Sequence, residues 1–127
     1  MTGNLIFHMC RQTEWDLALK TGTYGGSSQD LADGFIHFST ETQVQISAAK
    51  HRAGQDGLAL LTVDADALGA ALRWEKSRAD ALFPHLYGSL PVTAVVRVDA
   101  LPLGPDGVHR FPPHVMPARS GPSKGDE

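Results

Sequence analysis

The sequence contains little cysteine and no concentrated patch of positive charge. Its single cysteine, Cys10, excludes an intramolecular disulfide and any metal site built from several thiolates, and it is typical of a cytoplasmic protein. Eleven Lys and Arg residues against 14 Asp and Glu residues give a formal net charge of -3. Because no basic cluster is present, we expect neither duplex nucleic acid nor an anionic membrane as a partner. The composition favours a small-molecule partner.

Long apolar runs are also missing. No stretch approaches the length that spans a bilayer, and the N-terminus lacks the basic and apolar regions of a signal peptide. A chain of 127 residues with 42% hydrophobic content is sufficient for one modest core. We predict a single domain over residues 1–111, followed over residues 112–127 by a mobile tail rich in proline, glycine and polar residues.

The hydrophobic patterns predict an α+β fold. Apolar, β-prone runs predict strands at residues 5–9, 34–40, 58–64, 72–75 and 92–98. Capping-box patterns that end at glycine predict two main helices, at residues 13–22 and 40–53. We expect loops at residues 23–34, where residues 29–32 allow one helical turn, and at residues 83–91. We also expect a mixed or antiparallel sheet of about five or six strands. The continuous apolar run at 58–64 predicts its central strand, buried on both faces.

Three histidines lie in segments that are otherwise apolar or rigid. His37 belongs to the run Gly-Phe-Ile-His-Phe-Ser-Thr at residues 34–40, where an extended chain places it on the same side as Ser39. His8 lies in the first predicted strand, and His85 lies between a proline and Tyr87 in the predicted loop 83–91. A lone histidine in such a place is usually a buried, hydrogen-bonded core residue. Three of them indicate a site.

The residue types allow three kinds of site. Three imidazoles suit zinc, but no His-x-His or helical His-x-x-x-His spacing is present, so we expect no metal. Ser39 or Cys10 as a nucleophile would need a histidine base, and the Gly-x-Ser-x-Gly elbow is absent. The third kind is a pocket for ribose and phosphate, in which Ser39 and Thr40 at a helix start favour an anion. Plain helix capping explains these two residues equally well.

The strings Gly-Phe-Ile-His-Phe-Ser (34–39) and Phe-Pro-His-Leu-Tyr-Gly (83–88), with Phe7-His8, Trp15, Gln43 and residues 60–64, resemble the domain of unknown function family numbered 952. The resemblance extends from about residue 5 to residue 98. That family is similar in fold to the ADP-ribosyltransferases and the RNA 2'-phosphotransferases. The resemblance therefore implies a small ADP-ribosyltransferase-like α+β domain, whose strands surround a cleft suited to NAD.

The resemblance also assigns residues to roles. His8 matches the first-strand residue that contacts the nicotinamide-side ribose, and His37 with Ser39 matches the motif that positions the ribose and the ring. The Gln-x-Glu or Glu-x-Glu motif of the toxin-like transferases is absent, and Glu75 is the carboxylate that would substitute for its glutamate. The full set of predicted site residues is His8, His37 and His85 as catalytic residues and Tyr24, Ser39, Thr40 and Tyr87 as ligand contacts.

These features predict an NAD-linked protein that transfers ADP-ribose or acts like an RNA 2'-phosphotransferase, with NAD as substrate. Such chemistry would pass through an oxocarbenium-like ribosyl cation once nicotinamide has left. A binding module for a nucleotide-derived ligand, without turnover, is the alternative that the missing glutamate motif favours. A metal-dependent hydrolase is the third alternative. The sequence specifies neither an acceptor nor an oligomeric state.

Overall fold

A computed structural model describes residues 4–77 and 81–115 as a small α+β domain, the predicted fold class. Its strands are β1 (Leu5–Arg11), β2 (Thr23–Tyr24), β3 (Ile36–His37), β4 (Leu58–Asp64), β5 (Leu72–Lys76), β6 (Leu82–Leu86), β7 (Leu90–Pro91) and β8 (Val95–Leu101). Its helices are α1 (Gln12–Thr21), α2 (Ser28–Asp33) and α3 (Glu41–His51), and short 3-10 segments occupy Ala65–Ala71 and Val92–Ala94.

The strands form three antiparallel sheets, ordered β1-β4-β8, β2-β7 and β3-β6-β5, where the sequence pattern predicts one sheet. Two reciprocal backbone hydrogen bonds of 2.8 Å between Phe7 and Ser39 join the first sheet to the segment that follows β3. The prediction of a single sheet is therefore wrong. Three of the strands that the sequence pattern did not delimit, β2, β3 and β7, are only two residues long. Strands of that length produce no periodic pattern in the sequence.

Strand β4 is the centre of the first sheet, between β1 and β8, as its apolar run predicts. Residues 58–63 are all buried. Because side chains alternate along a strand, Leu61 and Val63 join one core cluster, whereas Leu58 and Leu60 join a second. The first cluster includes Ile6, Trp15, Ile36 and Leu86, and the second includes Phe7, Val44 and Leu101.

Both main helices are confirmed, and a third occupies the predicted loop at residues 23–34. Helix α1 begins directly after β1, because the Arg11 amide donates to Glu14 Oε1 at 2.7 Å. Helix α3 begins as predicted, with the Thr40 amide donating to Gln43 Oε1 at 3.0 Å, and it ends at His51. Helix α2 follows a capping box made by Ser27 and Asp30.

Most of the predicted loop 83–91 is strand structure. Strand β6 lies between β3 and β5 and contains Pro84, opposite Trp74 of β5. Proline has no N–H to donate, and the Pro84 carbonyl accepts from the Phe38 amide at 3.0 Å, just beyond the end of the two-residue strand β3. The last predicted strand begins late, at Val95, because residues 92–94 form a 3-10 turn.

The packed chain continues past residue 111. Phe111 packs against the second core cluster, and Val115 is buried within it. The rest of the predicted tail, residues 116–127, lies outside the described residues, as do residues 78–80 of the predicted connection between β5 and β6. Among the described helices, none is both long and apolar enough to cross a membrane.

Candidate functional site

His8 is held in one tautomer at the centre of the fold. Its Nδ1 donates to the His37 carbonyl at 2.6 Å, because a carbonyl oxygen only accepts. Its Nε2 therefore accepts a hydrogen bond from the Tyr24 hydroxyl at 2.8 Å. Burial lowers the pKa of His8, despite the nearby Asp30 carboxylate, so the ring is neutral. His8 connects β1 to β3 and has no ring nitrogen left for a ligand.

Tyr24 and Cys10 are buried behind His8. Burial raises the pKa of the Tyr24 hydroxyl, which keeps it protonated as the donor to His8. Burial likewise raises the pKa of the Cys10 thiol to about 12. A thiol with that pKa carries almost no thiolate at neutral pH, so its role is that of a small core residue. The nucleophile alternative therefore finds no support at Cys10.

Asp30 is the buried carboxylate of the site, in the first turn of α2. Its Oδ1 accepts from the His37 amide at 3.1 Å and from His37 Nδ1 at 2.6 Å, and its Oδ2 accepts from the Ser27 amide at 2.7 Å. Burial opposes ionisation, but the hydrogen bond from the His37 ring and those from the Ser27 and His37 amides together lower the pKa of Asp30 to about 2. Asp30 is thus an ionised group that fixes both α2 and β3.

His37 lies between two carboxylates at the edge of a cleft. Besides Asp30, its ring contacts Asp33 Oδ2 through Nε2 at 3.0 Å. The hydrogen bond to Asp30, aided by the charges of both carboxylates, raises the pKa of His37 in spite of partial burial. A carboxylate at each ring nitrogen favours the protonated ring, which donates from both nitrogens. Its side chain remains 38% exposed.

The cleft has a volume of about 580 Å³. Helix α2 and strand β3 supply one wall, with Asp33 and His37, and the end of α3 supplies another, with His51 and Arg52. Arg52 donates from Nη2 to the Met9 carbonyl at 3.0 Å and from Nη1 to Gln55 Oε1 at 3.1 Å. A guanidinium has five N–H donors, so Arg52 retains donors for a ligand. Volumes of this size are usual for small-molecule sites.

The two hydroxyls predicted to contact a ligand differ in position. Ser39 lines the cleft, but its Oγ donates to Ser47 Oγ, another lining group, at 3.0 Å. Thr40 is the N-cap of α3 and is not among the residues that line the cleft. At this position Thr40 takes part in the cap through its amide, which donates to Gln43, and the ligand role of both hydroxyls stays a prediction.

His85 and Tyr87 lie next to His37, on a second surface. The ring centroids of His37 and His85 are 5.6 Å apart, and Phe35 stacks on His85 with centroids 4.1 Å apart. His85 Nδ1 donates to Glu75 Oε1 at 2.7 Å, and the Tyr87 hydroxyl donates to the same oxygen at 2.8 Å. The three predicted histidines thus lie in a row, with His37 between His8 and His85. His8 is hydrogen-bonded to the buried Tyr24, whereas His85 is hydrogen-bonded to the partly exposed Glu75.

Sequence reasoning missed Asp30, Asp33 and Arg52. The spacing of Ser27 and Asp30 is that of a capping box, so a helix start in the predicted loop was detectable from the sequence. No comparable signal marks Arg52, which reaches the cleft only because α3 ends beside β1. Within the described ranges, 4–77 and 81–115, no group of three or more His, Cys, Asp or Glu side chains is placed to hold a metal ion.

Comparison with known proteins gives one family and one solved relative. The family model described as "Protein of unknown function (DUF952)" matches residues 9–98. The crystal structure of protein CC0527 from Caulobacter crescentus is 48% identical, covers 87% of this chain and 97% of its own, and superposes with a TM-score of 0.84. The solution NMR structure of CC0527 gives 50% identity, 82% and 90% coverage and a TM-score of 0.74. No curated protein matches the sequence.

Proposed function

The chain belongs to the DUF952 family, and from this premise we propose that its cleft binds a nucleotide-derived small molecule such as NAD or ADP-ribose. The observation behind the proposal is that two side chains of opposite charge, Arg52 and Asp33, line the same cleft. A guanidinium suits phosphate oxygens, and a carboxylate accepts from ribose hydroxyls. A ligand that carries both a phosphate and a ribose could therefore bind Arg52 and Asp33 at the same time.

The rigidity of the walls supports the same proposal. His8 ties β1 to β3, and Asp30 ties α2 to β3, both through hydrogen bonds that are at least partly buried. Polar groups held in place before binding lose little conformational entropy when a ligand arrives. The similarity to ADP-ribosyltransferases, which first suggested the ligand, is part of this proposal.

The test is isothermal titration of the purified protein with NAD, ADP-ribose and nicotinamide. We expect ADP-ribose to bind, and Arg52→Met to weaken its affinity by about tenfold, the equivalent of one charged hydrogen bond. Arg97→Met is the matched control, because Arg97 is exposed on β8 and pairs with Asp99. Failure of all three compounds to bind to the wild-type protein would contradict the proposal.

Transfer of ADP-ribose is the second candidate function, and the arrangement around Glu75 favours it. This half-exposed carboxylate is oriented by His85 and Tyr87, next to His37. Cleavage of the nicotinamide–ribose bond develops positive charge on the ribose, which an oriented carboxylate would stabilise. We place Glu75 in that role, where the sequence lacks the usual glutamate motif.

Release of nicotinamide from NAD tests the second candidate. If transfer occurs, we expect Glu75→Gln to reduce release by about a hundredfold while leaving the protein folded, because the amide keeps the shape and loses the charge. Glu14→Gln, which removes the charge of a carboxylate that lines the cleft, serves as the control. Binding of NAD without any release would instead favour the module without turnover.

A further inference from the structure

One face of the sheet β3-β6-β5 combines aromatic rings with a carboxylate. Because paired residues in antiparallel strands share a face, His37, His85 and Arg73 lie on the same side of this sheet. Phe35, Glu75, His85 and Tyr87 contact one another there, and we call these four residues the aromatic–acidic face. Of them, none lines the cleft proposed above for the nucleotide-derived ligand.

Glu75 has an oxygen to spare. Both of its hydrogen bonds, from His85 and from Tyr87, end on Oε1. Across residues 4–77 and 81–115, its Oε2 accepts no hydrogen bond. The bonds from His85 and Tyr87 lower the pKa of Glu75, so the group is ionised at neutral pH. With 36% of its side chain exposed, Glu75 presents a negative oxygen that a ligand can reach.

The rings beside Glu75 are accessible and already attract a cation. Tyr87 is 39% exposed, and its ring centroid lies 5.2 Å from that of the partly exposed Phe35. The guanidinium carbon of Arg73 lies 5.0 Å from the Tyr87 centroid. That is the geometry of a cation–π interaction, in which positive charge is drawn to the negative face of an aromatic ring.

We propose that the aromatic–acidic face is a binding site for a small organic cation, whose charge is spread over a flat ring or over N-methyl groups. Such a cation is weakly hydrated, so it loses little on leaving water and gains contact with the rings and with Glu75 Oε2. An anion is opposed by the Glu75 charge. The site goes beyond the proposed nucleotide cleft, which none of these four residues lines. It shares Glu75 with the second candidate function but requires no nucleotide.

The experiment compares cations with neutral molecules of nearly the same shape. The wild-type protein is titrated with two pairs of compounds, each a cation and its neutral counterpart: choline with 3,3-dimethyl-1-butanol, and 1-methylnicotinamide with nicotinamide. The signals of Tyr87 and His85 are followed by NMR. In one of these two pairs, we expect the cation to bind about tenfold more tightly than its neutral counterpart. Preference within the first pair identifies a methylated ammonium, and preference within the second identifies a flat ring.

Two variants locate the site. Glu75→Gln should abolish the preference for the cation, and Arg73→Gln should raise cation affinity several-fold, because it removes the competing charge over Tyr87. Asp16→Asn, on the exposed surface of α1, is the matched control and should change neither value. Equal affinities within both pairs, or no binding of either cation to the wild-type protein, would overturn the inference, and neither result depends on whether ADP-ribose binds the cleft.

Discussion

Asp30 connects the helix that borders the cleft to the strand that carries His37. Only 3% of the residue is exposed, and its carboxylate accepts three hydrogen bonds from Ser27 and His37. A buried charge is tolerated only when it is paired and hydrogen-bonded. At the scale of single residues, Asp30 therefore determines where α2 and His37 lie relative to each other.

Replacement of Asp30 should destabilise the protein much more than replacement of its neighbour Asp33. We expect Asp30→Ala to lower the free energy of unfolding by about 3 kcal/mol, because it leaves buried donors unpaired. Asp33→Ala, at a half-exposed position, should cost less than about 1 kcal/mol. Urea denaturation of both variants measures the difference, and equal losses would show that Asp30 is not the main anchor.

The stability that His37 provides should fall as the pH rises. Its pKa in the folded protein is raised above 6.5 by Asp30 and Asp33, so folding favours the protonated ring. Its contribution is therefore fully present below pH 6.5 and is lost as the pH rises through the folded pKa. The difference in unfolding free energy between wild type and His37→Gln should shrink over that window.

His8 is a second histidine whose titration affects the stability of both wild type and His37→Gln. His8, whose pKa is lowered by burial, has the opposite dependence, but it is present in both proteins. The part of its shift that burial causes is therefore common to both, and only the smaller part caused by the His37 charge enters the difference. Urea unfolding on both sides of pH 6.5 measures the difference directly. A difference that grows as the pH rises would contradict an imidazolium at His37.

At the scale of elements, the placement of α2 depends on close packing at Gly26. Its φ is +104°, and a Cβ added there would lie 2.7 Å from the Asp30 Cβ and 3.3 Å from Ile36 Cγ1. Both the backbone conformation and the available space therefore require glycine. This contact brings the chain before α2 against the carboxylate that anchors the helix.

Gly26→Ala should consequently be more harmful than Gly22→Ala. Both glycines have positive φ, but a Cβ at Gly22 would meet nothing within 4 Å. We expect Gly22→Ala to cost about 1 kcal/mol from backbone strain alone, and Gly26→Ala to cost about 2–3 kcal/mol because overpacking is added. Thermal unfolding of the two variants tests this order, and a smaller loss at Gly26 would show that α2 shifts without penalty.

At the scale of the whole molecule, the central sheet β1-β4-β8 separates two apolar clusters. The second cluster is completed by the segment that follows β8, through Phe111 and Val115. Burial of each such side chain contributes roughly 1.5–3 kcal/mol. The C-terminal segment is therefore part of the folded domain as far as residue 115.

Two truncated chains test the contribution of this segment. A chain of residues 1–110 lacks Phe111 and Val115, whereas a chain of residues 1–115 retains both. We expect the shorter chain to be less stable by about 3 kcal/mol in urea denaturation, from the apolar surface that it no longer buries. Equal midpoints and slopes for the two chains would show that residues 111–115 do not support the core.

Elements whose patterns are local could be predicted from the amino-acid sequence. The apolar run of β4, the capping box and length of α3 and the glycine that ends α1 are visible within windows of seven to fourteen residues, because backbone hydrogen bonding and side-chain periodicity act over that range. The same reasoning selected His8, His37 and His85, since imidazoles within apolar or rigid segments need partners. Which partners they have was not visible.

Packing between elements produces three features that no local pattern predicts: the division into three sheets, the strand through Pro84 and the pairing of His37 with Asp30. Strands of two residues have no periodicity, and a proline inside a strand is acceptable only when its neighbours leave its missing donor unneeded. The partners of His8 and His85 lie 10 to 29 residues away along the chain. Contacts at such separations arise from packing of whole elements, which no local pattern encodes.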